Sequence, residues 1–148
     1  MKKIILIAAA AFASMASFAN VDPVTGKVLE AFRASFADAK NVQWKSLDES
    51  GLFQATFNYQ NSELSAFYSE DGEMVAVARY INKANLPIMV SKEINERYPD
   101  HAIQTVIERI ANGSTTYHVT LNSPKSSLVV AVSPSGDFSV SKKIKHKL

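Results

Sequence analysis

The chain has 148 residues, enough for one ordinary domain with a core of its own, and no cysteine, so disulfides and a lipid-bearing cysteine are both excluded. Its 16 basic and 14 acidic residues give a formal charge of +2, and two of those bases are Lys2 and Lys3 at the very start. Without that pair the balance is 14 to 14, which gives no footing to nucleic-acid binding; the Lys142, Lys143, Lys145, His146, Lys147 cluster reads as a solvated end with no interleaved aromatic residues.

In chain order the first element is a leader. Lys2 and Lys3 precede the apolar run IILIAAAAFA, and Ser17-Phe18-Ala19 supplies a small-x-small cleavage signal. Residues 1–19 are therefore expected to be a signal peptide cleaved near Ala19. The mature chain, 20–148, is expected to have no membrane span and to be periplasmic or secreted.

A helix follows. Val28, Phe32 and Phe36 recur every fourth residue with Leu29 widening the stripe, and Asp22-Pro23 is a start signal. The period then falls to two. Strands are expected at Asn41–Lys45, Phe53–Tyr59, Leu64–Ser69 and Met74–Tyr80, separated by turns at Asp48–Gly51, Gln60–Ser62 and Gly72. The stretch INKANLP joins this to a second helix carrying Val90, Ile94 and Tyr98, which Pro99 stops. Strands near Ile103–Ile110, Thr116–Asn122, Leu128–Ser133 and Phe138–Ile144 complete the chain, with turns at Asn112-Gly113 and Pro134-Ser135-Gly136.

The two halves align. FQATFN (Phe53 to Asn58) lies over YHVTLN (Tyr117 to Asn122) at an offset of 64, while Val28, Phe32 and Phe36 lie over Val90, Ile94 and Tyr98 at 62. The expected fold class is thus α+β: two tandem helix-plus-four-antiparallel-strand units, about 20–84 and 85–148, sharing one sheet with the helices on one face.

The acidic tip Glu70-Asp71-Gly72-Glu73 invites a metal-site reading. Its counterpart is Pro134-Ser135-Gly136-Asp137, which keeps the glycine and drops the acid pair, so the tip reads as a hairpin made twice. No catalytic motif is present: no cysteine nucleophile, GxSxG, HExxH, GxxxxGK or GxGxxG. The pairs Asp48-Glu49, Glu70-Asp71 and Glu93/Glu96 sit in turns or on a polar helix face, where a general acid finds no desolvation. No spacing brings two of His101, His118 and His146 within ligand reach. Neither catalytic, metal nor cofactor residues are expected, and the protein is expected not to be an enzyme.

What remains is a surface. If Phe53, Ala55, Phe57, Met74 and Ala76 pack under the helix, with Val42 and Trp44, alternation turns a second set of side chains the other way. The candidate partner-binding face comprises Gln54, Asn58, Phe67, Val75, Val77 and Arg79, with His118 and Asn122 from the second half. Phe67, Val75 and Val77 would form an apolar island on it.

The V-x-x-x-F-x-x-x-F of Val28, Phe32 and Phe36, the N-V-x-W of Asn41 to Trp44, the A-x-F of Ala55 to Phe57, and the Y-S-x-D-G of Tyr68 to Gly72 form one series. With Leu86-Pro87 and Tyr98-Pro99 they resemble the exported PepSY-like proteins of the beta-lactamase-inhibitor-like fold. The resemblance covers nearly all of the mature chain. It implies helices on one side of a sheet and a concave opposite side that grips another protein. The expected function is an exported non-enzymatic protein that binds a protein or peptide of the cell envelope, with restraint of a peptidase or other envelope enzyme as one form of it. The alternative is a periplasmic small-ligand carrier or sensor with a pocket between sheet and helices.

Overall fold

A computed structural model of the chain describes residues 24–47 and 49–146. The expected leader at 1–19, the Asp22-Pro23 start and Asp48 lie outside the described residues. The elements are α1 (Gly26–Ser35), β1 (Lys40–Leu47), β2 (Leu52–Tyr59), β3 (Ser62–Ser69), β4 (Met74–Ile81), a 3-10 turn (Lys83–Asn85) and α2 (Ile88–Arg97). Then come β5 (Ala102–Ala111), β6 (Ser114–Asn122), β7 (Ser126–Val132) and β8 (Phe138–Lys145). The strands form one eight-stranded sheet in chain order, β1 to β8.

This corrects the expected fold class. The chain is α+β, but more than half of its described residues are strand, and the two described α-helices have only ten residues each. Two tandem helix-plus-four-strand units do not describe it, because β4 does not close a first unit. The two compact units divide at Arg79/Tyr80, inside β4, and Ile81 at the end of that strand packs on the core of the second. The sequence gives the reason: MVAVARYI carries no turn residue, so one strand runs unbroken until Asn82. There the Asn side chain accepts a hydrogen bond from the Ala84 N–H at 2.9 Å and starts the 3-10 turn.

In the first unit α1 begins at Thr25, whose hydroxyl accepts from the Val28 N–H at 3.3 Å. Its fourfold apolar spacing buries Val28 and Phe32 against Phe53, Ala55 and Phe57 of β2 and Ala66 and Tyr68 of β3. Phe32 is the hub. Its ring centroid lies 4.9 Å from Phe57, 5.2 Å from Trp44 and 5.6 Å from Phe36. Each such aromatic pair contributes about 0.5–1.5 kcal/mol beyond the area it buries.

In the second unit Val90 and Ile94 of α2 meet Val106, Tyr117, Val119, Leu121, Leu128, Val130 and Val132, so branched aliphatics replace the ring cluster. Pro87 stands at the helix N-cap with no side-chain hydrogen bond, and Tyr98 ends it. The last turn is held by Arg97, which donates to Glu93 at 2.9 Å and lies 4.9 Å over the Phe138 ring.

The acidic tip Glu70–Glu73 and its counterpart Pro134–Asp137 are turns. Ser69 N–H donates to the Glu73 carbonyl at 2.9 Å and Gly72 N–H to the Ser69 carbonyl at 3.0 Å; Ser133, Asp137 and Gly136 repeat both bonds at the same lengths. Gly72 (φ +87°) and Gly136 (φ +98°) supply the left-handed backbone. Each glycine is also where its turn touches its helix. A Cβ on Gly72 would stand 2.8 Å from the Lys27 carbonyl oxygen, and one on Gly136 3.1 Å from Glu93 Cγ. Among the described residues no three His, Asp or Glu side chains come together as a metal group.

Candidate functional site

Strand register decides which side chains share a face. In the first unit β2 and β3 pair as Phe53/Tyr68, Ala55/Ala66 and Phe57/Leu64, all on the side of α1. The intervening pairs Gln54/Phe67, Thr56/Ser65 and Asn58/Glu63 turn away from the helix. Phe67 is 3% exposed and Gln54 6% exposed, while Asn58 is exposed. Gln54 Nε2 donates to Ser65 Oγ at 3.2 Å and to Thr56 Oγ1 at 3.4 Å, and the two hydroxyls lie 3.3 Å apart, while the buried Gln54 Oε1 has no hydrogen-bond partner.

The expected island of Phe67, Val75 and Val77 is not brought together. Phe67 pairs with Ala76, whereas Tyr68 pairs with Met74, so Val75 is the extra residue of a bulge. One inserted residue reverses the facing of everything beyond it. Val77 pairs with Ala66 and packs on the α1 core, and Arg79 pairs with Leu64 on that same side. Ala76 and Ala78, buried, take their places beside Phe67 and Ser65. Trp44 pairs with Ala55 and packs on the α1 core.

In the second unit β6 turns Tyr117, Val119 and Leu121 toward α2 and His118, Thr120 and Asn122 away. His118 faces Ile107 on β5 and Ala131 on β7. It is 3% exposed, and neither ring nitrogen has a hydrogen-bond partner. Asn122 is half-buried and its Oδ1 accepts from Ser127 Oγ at 2.7 Å.

Sequence reasoning missed the second group here. Arg109 pairs with Thr116, two residues along β6 from His118, and so stands diagonal to the imidazole on the same face. It is 9% exposed with Nε unpartnered. Burial lowers the Arg109 pKa, and burial first and the Arg109 charge second lower that of His118, which holds the imidazole neutral. The signal was obscured because Ile103, Val106, Ile107 and Ile110 are spaced like a helix stripe. A bulge between Ile103 and Thr105 then shifts the strand's alternation.

In each unit the helix packs on the strands through its apolar core. A depression of about 360 Å³ lies elsewhere in the second unit, lined by Tyr80, Ile81, Asn82 and Lys83 and by Ile103 to Val106 of β5. None of its lining residues belongs to α2.

No protein-family model and no curated relative matches the chain in sequence. Its fold, however, is shared with solved structures. A DUF2874 family protein from Bacteroides uniformis superposes with a TM-score of 0.72 at 13% identity, over 82% of this chain and 88% of that one. A BLIP-like protein from Bacteroides fragilis gives 0.70 at 16% identity, over 85% and 89%. A Bacteroides eggerthii protein assigned provisionally to the periplasm gives 0.72 at 14% identity, over 84% and 90%. The chain therefore has the BLIP-like fold, and at these identities the likeness is one of fold alone. None of its described helices is long and apolar enough to cross a membrane.

Proposed function

We propose that the protein is an exported, non-enzymatic binding protein of the PepSY-like kind. It engages a protein or peptide of the cell envelope through a sheet face turned away from the helices, and restraint of a peptidase or other envelope enzyme is one form this takes. The observation that carries the reading is the contrast between faces. One side of each unit's strands is closed by a helix and a packed apolar core, while the other carries Gln54, Thr56 and Ser65, or His118, Thr120 and Asn122, turned away from that unit's described helix. Small and hydrogen-bonding side chains around a few buried anchors suit a protein interface better than a reaction centre. The BLIP-like neighbour and the periplasmic assignment of another support the same reading.

The test is capture from the native envelope fraction with the mature chain as bait. Ser139→Trp and Asn58→Trp place a bulky ring at exposed positions of the faces turned away from the described helices, and Lys92→Trp places one on exposed α2. The reading expects a partner retained by wild type and Lys92→Trp and lost by at least one face variant. Retention by both face variants, with loss on α2, would overturn it.

A further inference from the structure

We infer that the face of the second unit turned away from α2 receives an acidic side chain, Asp or Glu, of the partner protein, seated between Arg109 and His118. The inference rests on the binding-protein reading and names the chemistry of the group bound. Two polar side chains stand diagonal to one another on adjacent strands, each more than nine-tenths buried, with three ring or guanidinium nitrogens between them lacking a hydrogen-bond partner. Folded proteins satisfy nearly all such groups; Gln54 Oε1, Tyr68 OH and His101 Nδ1 are single exceptions among the described residues, whereas three fall together on this pair, and that concentration marks a place that a ligand completes.

The chemistry of the pair selects the ligand. A guanidinium has only donors, so its missing partner is an acceptor, and a planar carboxylate matches its fork. A cation is disfavoured by the Arg109 charge itself. Charge on the rest of the face points the same way. Register places Thr105 and Ile107 of β5, Thr116 and Thr120 of β6, and Val129 and Ala131 of β7 around the pair, and none is acidic. Lys142, opposite Val129, is a further positive charge on this face. Glu108, the acid beside Arg109 in sequence, is on the other face with Tyr117, whose hydroxyl donates to it at 3.4 Å. A face with two fixed cations and no described strand carboxylate is complementary to an acidic residue and repels a basic one.

The test has two arms on the mature chain. In the first, N-acetyl-glutamate, N-acetyl-glutamine and inorganic phosphate are titrated at constant ionic strength while the ring resonances of His118 are followed by NMR. A saturable shift with the glutamate compound alone is expected, weakened about tenfold or more in Arg109→Gln and less in Arg109→Lys. No saturable shift with the glutamate compound, or a tighter one with phosphate, overturns the assignment. His118→Gln is the second variant, should Arg109→Gln fail to fold, because the corresponding position of the first unit already holds a buried glutamine, Gln54. It is read by the thermal shift that the glutamate compound produces. In the second arm the same variants serve as bait in envelope extract. Loss of the captured partner by Arg109→Gln supports the inference. Full capture by Arg109→Gln overturns it and leaves the face reading standing, whereas no capture by wild type overturns both.

Discussion

Gly72, Gly136 and Gly113 all have left-handed backbones, at φ +87°, +98° and +72°, yet they differ in what an added methyl would meet. Alanine at Gly113 meets nothing within 4 Å, so it carries only the backbone cost. That is about 1–2 kcal/mol, partly offset by the entropy that alanine removes from the unfolded chain, for a net loss of about 1 kcal/mol. Alanine at Gly136 adds a 3.1 Å approach to Glu93 Cγ, a side chain that can swing aside, and the loss should be about 1–2 kcal/mol. Alanine at Gly72 would stand 2.8 Å from the backbone carbonyl oxygen of Lys27, which cannot move without displacing α1 and the fully buried Val28 next to it. Overpacking against a fixed backbone adds about 1–3 kcal/mol, for a total near 2–4 kcal/mol. At roughly 4 °C per kcal/mol for a domain of this size, the melting midpoint should fall about 8–16 °C for Gly72→Ala and about 4 °C for Gly113→Ala. Thermal melts followed by circular dichroism read the order directly. Equal losses at Gly72 and Gly113 would refute the claim that the hairpin tip is seated against α1.

Three further outcomes follow from the packing. Phe32→Ala should cost about 3–5 kcal/mol, read in urea through Trp44 fluorescence, since the Phe32 ring lies 5.2 Å from the sole tryptophan. His118 is held neutral when folded, its pKa lowered by burial and by Arg109, so the unfolded chain takes up its proton first as pH drops below about 6.5. Its contribution is complete above that pH and declines below it, by at most about 1.4 kcal/mol per pH unit, and His118→Gln should flatten the stability slope between pH 7 and 5.5. Calcium should leave the melting midpoint unchanged: Asp71 makes an exposed 3.5 Å pair with Lys27, and the tip is shaped by the Ser69 and Gly72 hydrogen bonds and not by its acids.

Much of the fold was legible because the signals are local. Fourfold apolar spacing placed α1 and α2, alternation and the turn residues between runs placed the strands to within a few residues, with β5 fixed by its place in the repeat, and Gly72 and Gly136 marked equivalent turns. The pairs Val28/Val90, Phe32/Ile94, Ala55/Val119 and Phe57/Leu121 do occupy corresponding places in two cores. What alternation cannot see is an inserted residue. The bulge at Val75 turned Val77 and Arg79 toward the helix, and the bulge at Ile103/Thr105 helped conceal Arg109 beside His118. The expected tandem architecture failed for a related reason. The expected strand Met74–Tyr80 matches β4 to one residue, but the compact units divide at Arg79/Tyr80 inside that strand and not at 84/85 after it.

The central claim, that the partner occupies the sheet face turned away from the described helices, is tested most directly by site-specific photo-crosslinking in native envelope extract. A photoreactive residue at Ser139 lies on that face, across from Ala131, and one at Glu96 lies on exposed α2. The account predicts a discrete adduct from Ser139 that is absent from Glu96. An adduct from Glu96 alone, or none from either position, would contradict it.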